Sequence, residues 1–373
     1  LLCPWDIAGA IFSGRRAPIN PLLDRWHAGM IGAAAGDEGM SMRRMGMALV
    51  VAGLAAAAPA LAQQAQDVTM AVPAFSLTFM GGYVADDLGL WQKHGVNVKS
   101  VMIAGVGSMN AVLSGSADVA QVSAITVTRA MARGQHTVEI AQLLDRLVVE
   151  LVLNKDIAAA AHFDPKAPLQ QRVQILKGRT IAVESINSII HAYVRLLAHI
   201  GGFDPELVKI AVMQPPNMVA AFQTKQIDGF AMSLPWPLQP VVAGTGVIIA
   251  SGPGGDPPEM VPFAHNMVVA RPDTCEKRPV VCQGVAQGFA EAARFIKDHP
   301  DDALAMMQKK FPTLEPPLLK AAFDEVRAVS PSPPVPTAKA LENADLYNIG
   351  AGLMTPDEKL KSYDALFTDK FVK

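Results

Sequence analysis

Cysteine, aromatic side chains and net charge are all scarce in this chain. Of its 373 residues three are Cys, 6% are aromatic, and the formal charge is −2. A near-neutral chain gives no electrostatic case for nucleic acid or an anionic membrane, so neither is expected as a partner. The Cys275-x6-Cys282 spacing, with no further Cys or His beside it, is a poor zinc signature, and no metal is expected. A G-x-S-x-G elbow, a Walker loop and an H-E-x-x-H pair are all missing, which removes the commonest hydrolase and nucleotidase readings. Gly105-Val106-Gly107-Ser108 is not a dinucleotide fingerprint, because Asn110 stands where its third glycine belongs. Asp86-Asp87 and Asp301-Asp302 are adjacent carboxylates that cannot face one another on a helix, and they read as solvated surface. No catalytic residue and no cofactor are therefore assigned. No apolar run reaches the ~20 residues that a membrane-spanning helix needs.

What is present is ample apolar material: 50% of residues are hydrophobic and 18% charged, the balance of a folded globular protein of about two domains. Residues 1–39 show no sustained period and read as a doubtful upstream segment rather than a domain. From Met42 the pattern sharpens. Arg43 and Arg44 give a positive n-region, Met45 to Ala58 an uncharged apolar core, and Ala60-Leu61-Ala62 an A-x-A cleavage site before polar Gln63-Gln64. Residues 40–62 are thus expected to be a secretory signal peptide, with the mature protein in a bacterial periplasm. No Cys at the cleavage point offers a lipid anchor. Setting Cys3 aside in the upstream segment, Cys275 and Cys282 remain as an even pair. An oxidising compartment favours a disulfide between them, with two reduced buried thiols as the alternative.

The mature chain alternates short β-rich runs with amphipathic ones. Strands are expected at Val68–Val72, Val96–Ile103, Val119–Val122, Val138–Leu143 and Leu147–Leu153. Between them lie a helix over Tyr83–His94 stopped by Gly95, a short one over Ser108–Ser114 capped by Ser108, and one over Ile125–Arg133 closed by Gly134. A polar stretch, Asn154 to Pro168, precedes a second unit with strands at Thr180–Val183, Val208–Val212, Gly229–Met232 and Val247–Ala250, and helices at Ile189–Ile200 and Asn217–Lys225. Beyond the Gly/Pro-rich run Ser251 to Pro262 comes one more strand, Asn266–Ala270. Four helices follow, at Val280–Lys297, Asp301–Lys310, Pro317–Arg327 and Thr337–Gly350. The expected fold is α/β, two lobes of parallel-rich sheets flanked by helices with a helical C-terminal tail. Lobe 1 is expected over 63–153, lobe 2 over 154–262, and 263–373 as a return to lobe 1 plus the tail, with the two connections acting as a hinge.

Five blocks in this order resemble one family. They are Tyr83-Val84-Ala85 with Gly89-Leu90-Trp91 and His94-Gly95-Val96-Asn97-Val98; Ala104-Gly105-Val106-Gly107-Ser108; Leu113-Ser114-Gly115-Ser116-Ala117-Asp118-Val119-Ala120; Leu176-Lys177-Gly178-Arg179-Thr180-Ile181-Ala182-Val183; and Phe222 with Ile227-Asp228-Gly229-Phe230 and Pro235-Trp236. Over roughly Val68 to Ala250 they are similar to the periplasmic binding proteins that serve nitrate, sulfonate, taurine and thiamine-precursor importers. The resemblance implies a type II-like clamshell that traps a small solute and delivers it to an ABC permease and its ATPase, acting as a monomer and without catalysis. Many members carry an acidic residue before the Pro-Trp pair; here it is Leu234, so no member's ligand transfers directly.

Ligands of parallel α/β sheets sit beyond the carboxyl ends of the strands, where helix N-termini point. In lobe 1 this singles out Met80 and Tyr83 after the first strand, Gly105 and Ser108 after the second, and Ser123 after the third. In lobe 2 it singles out Ser185, Asn187 and Ser188, with His191 one turn on, and Ser233 with Trp236 after a later strand. Paired helix starts favour an anionic head on the solute. Trp236 stacks on the ligand or fills the inter-lobe seam. Arg146, near the hinge, contacts an anionic solute or pairs with Asp145 or Glu150. Two other functions fit the same fold: a periplasmic ligand sensor, and an enzyme resembling fungal thiamine-pyrimidine synthases. The cysteine-rich segment of those enzymes is absent here.

Overall fold

The computed structural model describes residues 65–372. The upstream segment 1–39, the expected signal peptide 40–62 and Cys3 lie outside the described residues. Among the described residues ten strands form two sheets of five. They are β1 (Gln66–Val72), β2 (Val96–Met102), β3 (Val119–Val122), β4 (Val138–Leu144), β5 (Glu150–Asn154), β6 (Thr180–Val183), β7 (Lys209–Val212), β8 (Gly229–Met232), β9 (Gly246–Ser251) and β10 (Asn266–Ala270). The first sheet runs β2-β1-β3-β10-β4 and the second β7-β6-β8-β5-β9.

The two sheets share one plan. In each, three parallel strands joined by helices are followed by a strand that arrives from the other lobe. β5 crosses into the second sheet between β8 and β9, and β10 crosses back into the first between β3 and β4. Both crossing strands run antiparallel to both neighbours, while β1–β2, β1–β3, β6–β7 and β6–β8 are parallel. Four strands of each sheet therefore run the same way and the crossing strand alone runs against them: the sheets are rich in parallel strands, as expected, with one antiparallel member each. β5 also corrects the expected boundary: Leu147–Leu153 does not complete lobe 1, since Glu150–Asn154 pairs with β8 and β9. The run is apolar on both faces because it is an interior strand, and that pattern carries no information about which sheet it joins.

Helices bury what the strands leave open. The helix Ile189–Ile200 begins where the Ser188 hydroxyl accepts the His191 amide, and it turns Ile190, Tyr193, Val194 and Leu197 inward. The expected helix Tyr83–His94 is two, Met80–Asp87 and Leu90–Lys93, because Gly89 takes a left-handed conformation at φ 63° that breaks the i→i+4 ladder. The long helix Pro279–Asp298 crosses them closely: a Cβ on Gly288 would lie 2.5 Å from the Trp91 ring. Cys275 and Cys282 are joined by a disulfide, Cα atoms 5.4 Å apart, which ties the helix Pro272–Lys277 to that long helix. Among the described residues no helix is long and apolar enough to cross a membrane.

The helix Ala338–Gly350 straddles the seam. Asn348 donates to the Ile125 carbonyl (2.9 Å) and the Thr128 hydroxyl (3.1 Å) of lobe 1, while Tyr347 donates to the Ile189 carbonyl of lobe 2 (3.0 Å). It rests on a helix of each lobe just behind the ends that face the cleft.

Candidate functional site

The carboxyl ends of β1, β2 and β3 face those of β6 and β8 across a cavity of about 520 Å³, its solvent mouth included. Lobe 1 supplies the loop after β1 (Ala74, Thr78), the turn after β2 (Gly105, Val106) and the start of the helix Ala124–Ala132 (Ser123, Thr126). Lobe 2 supplies Glu184, Ser188, Ile189 and Ile190 after β6, and Ser233 after β8. His265 and Asn266, from the second crossing, complete the wall. This is the place a doubly wound sheet reserves for a ligand.

The lobes meet around this cavity through direct contacts. The Ser76 hydroxyl (2.8 Å) and the Leu77 amide (3.1 Å) donate to the Leu234 carbonyl. Trp236 donates its indole N–H to the Phe75 carbonyl at 2.8 Å. On the other side Arg129, itself buried, reaches across to the Asn187 carbonyl at 2.6 Å. Asn187 presents that carbonyl from a left-handed turn, φ 61°, fixed by its own amide donating to His191 Nδ1 at 3.0 Å. Gly105 has φ 53° and faces Ser185 so closely that a Cβ there would lie 2.4 Å from the serine Cβ and Oγ. The clamshell is closed.

Of the residues singled out from sequence, Gly105, Ser123, Ser188 and Ser233 line the cavity. The others lie elsewhere. Met80 lines a second, smaller cavity beside Phe289 and Ile296 inside lobe 1. Tyr83 and Trp236 belong to an aromatic cluster around Phe75 and Phe311, behind the loop after β1, so Trp236 fills the seam. Ser108 does not cap its helix: it sits inside Gly107–Ser114, fully buried, donating to the Ile103 carbonyl at 2.6 Å. Arg146 is exposed on the first crossing, outside the cavity lining. Ser185, Asn187 and His191 act on the other lobe through backbone and packing, as above, and Asn187 is exposed.

Sequence reasoning missed Glu184 and His265, the two ionisable groups of the lining. Burial raises the Glu184 carboxyl to about 7, with its own amide and the Ser188 hydroxyl pulling partly back. Burial lowers His265 to about 3. The Val148 amide donates to His265 Nδ1 (3.2 Å), so the neutral ring carries its proton on Nε2, which stands 3.4 Å from the Ser233 hydroxyl. His265 thus joins the two crossing segments to the cavity wall. Glu184 was visible as an acidic residue directly after an apolar strand; the His265-Asn266 pair lay at the mouth of a strand read as structural. Arg129 had no signal beyond its place on a helix face. Among the described residues no group of three His, Cys, Asp or Glu side chains is placed to hold a metal ion.

Known structures share this architecture at low identity. A protein of Bordetella bronchiseptica RB50 superposes with TM-score 0.73 at 18% identity, covering 83% of this chain and 96% of that one. The alkanesulfonate-binding protein SsuA from Xanthomonas axonopodis pv. citri, bound to MOPS, gives 0.62 at 18%, covering 82% and 99%. The periplasmic nitrate-binding protein NrtA from Synechocystis PCC 6803 gives 0.59 at 16%, covering 82% and 87%. No curated protein matches the chain by sequence. The fold is that of the periplasmic binding proteins, and with residues 46–309 matching its family model the chain belongs to the NMT1-like family.

Proposed function

We propose that this protein is the periplasmic solute-binding component of an ABC importer, which captures a small solute between its lobes and delivers it to a permease and ATPase. The observation that carries this reading is the cavity at the seam, walled by the carboxyl ends of strands from both lobes and closed by hydrogen bonds that run from one lobe to the other. Each lobe holds half of the coordination shell, so a solute that touches both favours the closed state by its differential affinity for it. The structural neighbours named for what they bind, alkanesulfonate and nitrate, are binding proteins. The signal-like residues 40–62 support export of the mature protein to the compartment where such a component works.

A thermal-shift screen of the protein recovered from the periplasmic fraction tests the reading, since a ligand at a hundred times its Kd stabilises by about 2.7 kcal/mol. A binder should be found, be recovered chemically unchanged, and lose its effect in Ser233→Trp, which fills the cavity. A solute converted to product, or one whose binding ignores Ser233→Trp, refutes it.

A further inference from the structure

Among the described residues no lysine or arginine lines the cleft. An oxyanion held there would have to be balanced by neutral N–H and O–H donors alone, next to a carboxyl group. Glu184 is only 6% exposed, and its Oε2 has no hydrogen-bond partner. The groups packed around it do not meet that need. Ser188 meets the carboxyl with a neutral hydroxyl that leaves Oε2 unpaired, and accepts the His191 amide. His265 is neutral, with Nδ1 taken by Val148. Tyr347, on the straddling helix, gives its hydroxyl proton to the Ile189 carbonyl. Across the seam Asn266, 2% exposed, uses its Nδ2 on the Thr78 carbonyl (2.8 Å) and Gln121 Oε1 (3.0 Å). The Thr78 carbonyl fixes the orientation of that amide, and Asn266 Oδ1 is left as a second buried acceptor with no partner. Buried polar atoms are almost always satisfied, and these two unpaired acceptors, one from each lobe, belong to residues that line the same cavity, where a solute can supply the missing donors.

We propose that the cleft selects a small solute bearing N–H donors, an amine, amidine or carboxamide, whose N–H groups are accepted by Glu184 Oε2 and Asn266 Oδ1, and that it discriminates against simple oxyanions. The inference rests on the cleft being the solute site. It replaces the anionic head that the helix starts alone favoured: those amides remain available to an oxygen of the solute, but the carboxyl group beside them sets the class.

Titration calorimetry with size-matched probes tests it: benzamidine and nicotinamide against benzoate, ethanesulfonate and nitrate, on the wild-type protein and on Glu184→Gln and Ser233→Trp. The N–H-bearing probes should bind and the oxyanions should not. Glu184→Gln should fold with an unreduced Tm and bind benzamidine at least tenfold more weakly. Wild-type affinity for benzamidine should rise about tenfold per pH unit below pH 7 and level off above it, as the carboxylate forms, and this slope should vanish in Glu184→Gln. Binding of an oxyanion that Ser233→Trp abolishes would keep the cleft as the site and overturn the class. Benzamidine binding unaffected by either substitution would place the site elsewhere, and no binding of either N–H probe would also overturn the proposal.

Discussion

Substituting Gly105 with Ala should oppose closure without unfolding either lobe. Two costs separate cleanly. At φ 53° an Ala pays about 1 kcal/mol for the left-handed conformation, in the open and the closed state alike. That lowers Tm by about 1.5 °C for a protein of this size and leaves affinity alone. The second cost belongs only to the closed state. The new Cβ would stand 2.4 Å from Ser185 Cβ and Oγ, whereas ordinary contact is 3.4–4 Å. Ser185 is on the other lobe, so the lobes must part by about 1 Å or strain locally, worth about 1–3 kcal/mol for an overpacked contact. Solute affinity should fall by about 5- to 150-fold. Small-angle scattering in the presence of ligand should show a radius of gyration between those of the free and bound wild type. The double variant Gly105→Ala/Ser185→Gly should recover the affinity while keeping the Tm loss. Undiminished affinity in Gly105→Ala, or no recovery in the double variant, refutes the claim that these two turns meet on closure.

Three further outcomes follow from the same contacts. Arg129→Ala removes a charge-assisted bond to the Asn187 carbonyl and should weaken solute binding by about 1.5–3 kcal/mol in calorimetry with little change in the free protein's Tm; equal loss in Tm and affinity would make Arg129 a fold residue instead. Reducing the Cys275–Cys282 disulfide, which closes a loop with sequence separation 7, should cost about 2 kcal/mol on chain-entropy grounds, seen as a lower denaturation midpoint in reductant. Glu150 and Glu184 are each raised to about 7 from 4.5 by burial, so the native state holds protons the unfolded chain has released, and stability should fall as pH rises from about 4.5 to 7. His265, lowered to about 3, works the other way below pH 6.5. Glu184→Gln should flatten the fall in Tm between pH 5 and 7, and an unchanged slope would show that Glu184 is not buried in the solution fold.

Most elements were legible because each is a short apolar run with local punctuation. β6, β8 and β10 and the helix Ile189–Ile200 carry the bounds expected of them. The crossing strands were not legible in the same way. β5 and β10 have the composition of interior strands, and nothing within such a run states which sheet it joins. That is decided by the connections, when β5 enters beside β8 and β10 returns beside β3. The polar stretch at Asn154 suggests a lobe boundary, whereas the chain changes lobes before β5, where only Asp145 and Arg146 interrupt the apolar run and Leu147, Val148 and Val149 are all nearly inaccessible.

The site was legible by position and illegible by chemistry. The rule that ligands gather beyond strand ends selected the right turns, and Gly105, Ser123, Ser188 and Ser233 followed from it. Within those turns hydroxyls and amides stand out because they are the usual ligand donors. Yet a hydroxyl near a helix start has local uses that need no ligand: Ser108 satisfies a carbonyl five residues back, and Ser188 caps its own helix. A buried carboxyl has no such cheap local use. Glu184 follows three apolar residues of β6 at full burial, where an ionised side chain is costly unless something pairs with it. Neither Ser188 nor His265 supplies a charge. Glu184 therefore calls for a ligand because, unlike the fully buried Glu139, it lines the cleft, and its misfit becomes visible only when the second lobe closes over it and removes the water.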